Sequence, residues 1–233
     1  MPTQTYEKRR GQLLTYFDKT AVAAWDRLTS DAPVGRIRRT VRAGREQMRQ
    51  TLLDWLPEDL SGRHLLDAGC GTGALAVAAA RRGARVTAID LSPTLIRLAR
   101  ERSPAELGPG TVEFRVGDML TAGQDRFDYV VAMDSLIHYP IRDVVATLGS
   151  LAERTQCGML FTFAPRTRAL MLMHGLGKLF PAGQRSPAIE PAGELALHRL
   201  LAGHDSLRHW RTGRTRRIDS GFYISQALEV LQS

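Results

Sequence analysis

The sequence predicts a doubly wound, Rossmann-like α/β fold with a mostly parallel sheet. Three observations lead there. From Arg63 onward, short apolar runs alternate with helix-length amphipathic stretches, the pattern of strand–helix–strand units with right-handed crossovers. The first run ends in a glycine-rich turn, HLLDAGCGTG. The next two runs each end in an acid, in RVTAID and FRVGDM. A chain of 233 residues holds one such domain with modest additions.

Residues 1–60 read as an N-terminal helical arm or cap. One helix is expected over residues 6–17 and another near 21–28. A longer helix follows the start signal Ser30, Asp31 and Pro33. In it Val34, Ile37, Val41, Met48, Leu52 and Trp55 recur at helical spacing. Arg36, Arg38, Arg39, Arg42, Arg45 and Arg49 fall mostly between them. Residues 61–233 read as the core. Strands are expected over 64–67, 85–90, 112–116, 129–133 and 158–163, with helices over 74–82, 93–102 and 142–154. Residues 165–200, rich in Pro, Gly and Met, break the rhythm and read as an insertion capping the active edge of the sheet. Strands over 206–215 and 222–230 end the chain, the last antiparallel.

Composition bounds the function. Hydrophobic residues are 43% and charged residues 24%, ordinary for a folded soluble chain. Net charge is +8 and the excess is nearly all arginine, since lysine occurs only at Lys8, Lys19 and Lys178. Arginine forks suit carboxylates and phosphates. The charge therefore fits a solvated basic face, an anionic substrate, an acidic partner or an anionic membrane surface. With few aromatics and no recognition motif, no nucleic-acid partner is expected. Cys70 and Cys157 form no disulfide framework and no metal-ligand spacing, so no metal site is expected. The opening residues hold no apolar run of signal-peptide length. Cytoplasmic placement is expected, with peripheral membrane contact left open.

The glycine turn carries the chemistry. Gly69, Gly71 and Ala74 satisfy the G-x-G-x-x-G/A spacing of a dinucleotide fingerprint. Asp67 argues otherwise, because a carboxylate beside a pyrophosphate would repel it. S-adenosylmethionine has no phosphate and carries a cationic ammonium and sulfonium, which a nearby Asp favours. Gly69, Gly71 and Gly73 let the backbone pass close to such a ligand. Asp90, at the end of the second strand, is spaced to accept the ribose hydroxyls. Asp118, after the third, is placed for the adenine amino group. Leu91, Met119 and Met133 complete the candidate cofactor set. These residues resemble the motifs of the class I methyltransferases over roughly residues 60–165, a resemblance specific for cofactor but silent on substrate.

Four segments outside that core extend the resemblance: YFDKTAVAAWDRLTSDAPVGRIRRTVRAGR, MDSLIHYP, TFAPRTRALMLMHGLGKLFPAGQRSPAIEP and SGFYISQALEV. Together they resemble the magnesium-protoporphyrin IX O-methyltransferase family of (bacterio)chlorophyll synthesis. The resemblance implies methyl transfer from S-adenosylmethionine to one propionate of magnesium protoporphyrin IX, leaving S-adenosylhomocysteine and the monomethyl ester. It also implies catalytic roles for Tyr16 and His138, which match family positions implicated in activity. His138 is placed to hydrogen-bond the propionate or to approach the magnesium. Arg36, Arg38, Arg166 and Arg185 are candidates for holding the second propionate, and His174 for touching the macrocycle. Leu170, Met171, Leu172, Met173, Leu176, Leu179 and Phe180 could cover that flat ring or pack as core. The implied partner is the large porphyrin-binding subunit of magnesium chelatase, and the implied location is cytoplasmic, beside the photosynthetic membrane. A quinone-type O-methyltransferase using His138 as base, and a porphyrin carrier without turnover, are the competing readings.

Overall fold

A computed structural model describes residues 2–20, 35–121, 125–166 and 189–233. The arm contributes α1 (Gln4–Thr15), which continues as one wider turn over Tyr16–Thr20, and α2 (Arg36–Trp55). The core then runs β1 (His64–Ala68), α3 (Ala74–Arg81), β2 (Arg85–Asp90), α4 (Pro93–Arg102) and β3 (Thr111–Val116). It continues with β4 (Phe127–Ala132), α5 (Ile141–Ala152), β5 (Thr155–Phe163), α6 (Glu194–Ala202), β6 (Trp210–Ser220) and β7 (Tyr223–Gln232).

The seven strands form one sheet in the order β3-β2-β1-β4-β5-β7-β6. β1 pairs in parallel with β2 and β4, and β7 runs antiparallel to both β5 and β6. Strand order reverses direction between β1 and β4. That switch point opens a crevice at the carboxyl ends of the strands, where open α/β sheets bind ligands. Both faces are covered. Side chains alternate along each strand, so Leu65 joins one apolar cluster and Leu66 the other. Leu65 packs in the cluster of Met48 and Leu52 from α2, Ala76 and Ala79 from α3, and Ile96 from α4. Leu66 packs in that of Leu13 from α1, Leu148 from α5 and Leu201 from α6.

Local signals account for the helix starts. The Thr3 hydroxyl accepts the Tyr6 N–H at 3.0 Å and caps α1. Ser92 caps α4 by accepting the Leu95 N–H at 3.2 Å, and Pro93 fills the first helical position, where no N–H is needed. At Gly73, φ is +79°, so the chain turns from the loop into α3 through a left-handed residue.

The alternation expected from the sequence is present, with one correction. The end of the expected insertion, residues 194–200, belongs to α6 (Glu194–Ala202), a helix between β5 and the terminal hairpin that the sequence reading did not assign. Its Leu197 and Leu201 lie four residues apart on a buried stripe, a short periodicity overshadowed by the Pro- and Gly-rich stretch before it. The first helix starts and ends two residues earlier than expected. The terminal strands are shifted and longer than the apolar runs suggest, because β6 is largely exposed and carries arginine at many positions. The expected helix near 21–28, its successor's start signal and Val34 lie outside the described residues. So do the apolar residues 170–180, His174 and Arg185.

Candidate active site

The crevice at the strand ends holds a cavity of about 260 Å³. β1 delivers Asp67 to it, β2 delivers Asp90 with Leu91 directly after it, and the turn after β3 delivers Asp118 and Met119. The segment after β4 adds Met133, Asp134, Ser135, His138 and Tyr139. Gly69 and Gly71 line the wall, whereas Gly73 stands behind it at the start of α3. Gly69 adopts φ +85°, and a Cβ there would run into the Ser135 side chain. Ser135 in turn donates its hydroxyl to the Ala68 carbonyl at 2.7 Å, tying the loop after β4 to the end of β1. A side chain at residue 69 would therefore push the two halves of the site apart.

The acids divide the work. Asp90 is committed to the loop, accepting the Gly71 N–H through Oδ2 and the Ser92 N–H through Oδ1, both at 2.9 Å. Burial raises its carboxyl above the ordinary range, and those amides offset part of the rise. Asp67 is 2% exposed, and its Oδ2 has no hydrogen-bond partner among the described residues. Burial, then the charge of Asp90, push its carboxyl up to about 7. Two like charges held out of water beneath a glycine loop favour a cation between them. The ammonium and sulfonium of S-adenosylmethionine meet that requirement, and a pyrophosphate does not.

The pKa of Asp67 gives a signed prediction. Without ligand the carboxyl is mostly protonated below pH 7, and a cationic ligand prefers it charged. Binding therefore releases a proton, and affinity for S-adenosylmethionine should climb by up to about tenfold per pH unit between about pH 5 and 7, levelling off above. Calorimetric titration across that window tests this. Asp67→Asn should bind more weakly and show a flattened profile; an unchanged slope would show that Asp67 is not the titrating group.

Asp118 has company that its sequence neighbours do not reveal. Its Oδ1 accepts the Tyr6 hydroxyl at 2.7 Å and the Leu120 N–H at 2.9 Å, and its Oδ2 accepts Arg10 Nη1 at 2.9 Å. Thus α1 is docked on the expected adenine acid. The Tyr6 ring also stacks on Tyr139, with centroids 4.7 Å apart and 19° between planes. Burial first, then Tyr139 and Asp118, hold the Tyr6 hydroxyl far above its ordinary pKa, so it acts as a donor and not as a base. At the other side of α1, the hydroxyls of Thr3 and Thr5 donate to Asp143 of α5 at 2.6 and 3.0 Å.

His138 is 7% exposed and lines the cavity, with Phe17 edge-on to its ring at 5.9 Å. Tyr16 is not on the cavity wall; it is half-buried with its ring edge-on to Phe17. Of the residues expected to hold a second carboxylate, Arg38 and Arg166 are exposed and away from the wall. Arg36 opens α2. Among the described residues, the arginines that line the cavity are Arg42, Arg45 and Arg49. Their i, i+3, i+7 spacing was visible in the sequence, but nothing there distinguished a cavity-facing row from a solvated one. Asp134 was likewise missed as a site residue. It has φ +54°, unusual for a non-glycine residue and a mark of a conformation held by its surroundings.

Comparison with known proteins bears on this site. The family model "Magnesium-protoporphyrin IX methyltransferase C-terminus" matches residues 132–232, and "Methyltransferase domain" matches residues 65–158. The magnesium-protoporphyrin O-methyltransferase of Rhodobacter capsulatus is 47% identical over 230 residues, covering 98% of this chain and 99% of that one. The crystal structure of magnesium protoporphyrin IX methyltransferase from Synechocystis PCC 6803 with bound S-adenosylhomocysteine superposes with a TM-score of 0.83. It is 28% identical and covers 96% of this chain and 100% of that one. A ubiquinone biosynthesis O-methyltransferase of Xylella fastidiosa matches less of the chain, 62%, at 37% identity over 157 residues. Full-length similarity and a shared fold meet the cation-seeking acids and the glycine loop in one conclusion: this chain belongs to the magnesium-protoporphyrin O-methyltransferase family and is an S-adenosylmethionine-dependent methyltransferase.

Proposed function

We propose that the protein methylates one propionate carboxylate of magnesium protoporphyrin IX, giving the monomethyl ester in (bacterio)chlorophyll synthesis. The observation that carries this reading is the match of the family-specific C-terminal model to residues 132–232. That stretch includes the acceptor side of the cavity, Met133 to Tyr139. Similarity to the ubiquinone enzymes covers too little of the chain to compete with it.

The chain's residues suit such a reaction. Bound S-adenosylmethionine supplies a methyl group on a positively charged sulfur. Asp67 holds the ammonium end, Asp90 the ribose hydroxyls, and Asp118 the adenine edge between Leu91, Met119 and Met133. A propionate is ionised at neutral pH, since carboxyl pKa values lie near 4, so the site needs no strong base. What it must provide is alignment and exclusion of water. His138 serves the first by hydrogen-bonding the carboxylate. Phe17 and the stacked Tyr6 and Tyr139 serve the second by closing the wall with apolar rings. Tyr16, one residue from that wall, supports Phe17 edge-on.

The same reading names the large porphyrin-binding subunit of magnesium chelatase as a partner. It places the protein in the cytoplasm, in peripheral contact with the photosynthetic membrane, and the arginine excess supports contact with an anionic surface. Among the described residues no helix is long and apolar enough to cross a membrane. Incubation with methyl-labelled S-adenosylmethionine and each acceptor in turn tests the substrate. Label should enter magnesium protoporphyrin IX as an ester. Label in a polyphenol and none in the porphyrin would refute the reading, and porphyrin binding without S-adenosylhomocysteine formation would indicate a carrier.

A further inference from the structure

Asp118 and Met119 reach the cavity wall where β3 gives way to a single helical turn, Met119–Thr121. On one side the turn closes on itself. The Leu120 N–H donates to Asp118 Oδ1 at 2.9 Å, and the Thr121 N–H and hydroxyl donate to the Asp118 carbonyl at 2.9 and 3.0 Å. So short a turn leaves its later carbonyls without partners of its own. One side chain meets them from outside. Arg154 Nη2 donates to the Met119 carbonyl at 2.8 Å and lies 3.5 Å from that of Leu120. Arg154 is half-buried, two residues beyond α5, and not on the cavity wall. Its own backbone is fixed at the amino end of β4, where its carbonyl accepts the Phe127 N–H at 2.9 Å. Its guanidinium lies over the Phe127 ring, 6.0 Å from the centroid. Burial pulls its pKa below the ordinary guanidinium value, yet arginine stays charged in proteins. A charge kept partly out of water needs acceptors, and here they are carbonyls of the turn that starts at Asp118.

Asp118 has room for one more donor. A carboxylate offers about four acceptor sites, and Tyr6, Leu120 and Arg10 occupy three of them. The fourth selects a ligand group only if the carboxylate is held to within about 0.5 Å. We propose that Arg154 is a positioning residue for the cofactor, gripping the turn after β3 so that Asp118 and Met119 meet the adenine edge. This rests on the assignment of Asp118 to the adenine amino group made above. Tyr6 and Arg10 fix the carboxylate from α1, and Arg154 fixes the backbone that carries it. Arg154 touches no ligand itself; it acts through the two carbonyls.

The test is equilibrium binding of S-adenosylhomocysteine and of S-inosylhomocysteine, in which an oxo group replaces the adenine amino group. No methyl acceptor is involved, so the result does not depend on the porphyrin. Wild-type protein should prefer S-adenosylhomocysteine by at least about tenfold, the scale of one charge-assisted hydrogen bond. Arg154→Met keeps an unbranched side chain over Phe127 and removes the donors. It should raise the Kd for S-adenosylhomocysteine roughly tenfold and that for S-inosylhomocysteine by less than about twofold, so that the preference nearly disappears. Arg154→Lys keeps the charge but offers no planar fork, and should lose about threefold of the preference. A general loosening of the fold would instead weaken both ligands alike. Equal weakening of both, or the wild-type preference retained, in whichever variant folds, overturns the role of Arg154 and leaves Asp118 as the adenine acid. No preference in wild-type protein overturns the assignment of Asp118 to the adenine amino group and this proposal with it.

Discussion

Asp90→Ala should raise the Kd for S-adenosylhomocysteine by about 100-fold or more. The carboxylate does two things at once. It accepts two backbone amides, from Gly71 and Ser92, that shape the glycine turn and the entry to α4. It is also the acceptor proposed for the ribose hydroxyls. Hydrogen bonds to a charged partner are worth about 1.5–3 kcal/mol each, and about 1.4 kcal/mol is a tenfold change in Kd. Losing the ribose contacts alone accounts for roughly two decades, and the relaxed turn adds to it. Calorimetry or fluorescence titration gives the number. A Kd within threefold of wild type, with the fold intact by circular dichroism, would remove Asp90 from the cofactor site.

His138→Ala should lower kcat by about 100-fold while leaving cofactor affinity nearly unchanged, since misplacing a reacting group by about 1 Å costs on that order. The split follows from placement. His138 lies on the acceptor side of the cavity, after β4, and the cofactor acids come from β1, β2 and the turn after β3. Single-turnover assays on magnesium protoporphyrin IX would separate the chemical step from product release. Full activity in the variant would show that His138 is a wall residue and that the propionate is oriented by other groups.

The cofactor half of the site was legible in the sequence for a physical reason. In a parallel sheet, binding residues sit where strands end, so Asp67, Asp90 and Asp118 follow apolar runs directly, and local spacing reports them. Nothing equivalent announces Tyr6 or Arg10. They reach Asp118 across more than a hundred residues of chain, and their helix carries no unusual pattern. The arginine row of α2 was visible as a periodicity but not as a wall. A polar helix face looks the same in sequence whether it meets water or a cavity. Of the arginines singled out by resemblance, Arg38 and Arg166 are exposed. Asp134 stood inside a segment that was singled out, MDSLIHYP, yet its importance comes from Arg45, Tyr223, Thr162 and Ser225, which three other elements bring to it.

Sequence alone therefore determined the doubly wound class, the glycine turn, the cofactor and the family, because each depends on short-range order along the chain. Tertiary structure decided that α1 closes over Asp118, that α2 turns its arginines into the cavity, and that Phe17 rather than Tyr16 meets His138. Those outcomes depend on how helices dock against the sheet. Docking is set by long-range packing, such as the bare backbone at Gly44 under the Tyr223 ring, which no local pattern encodes.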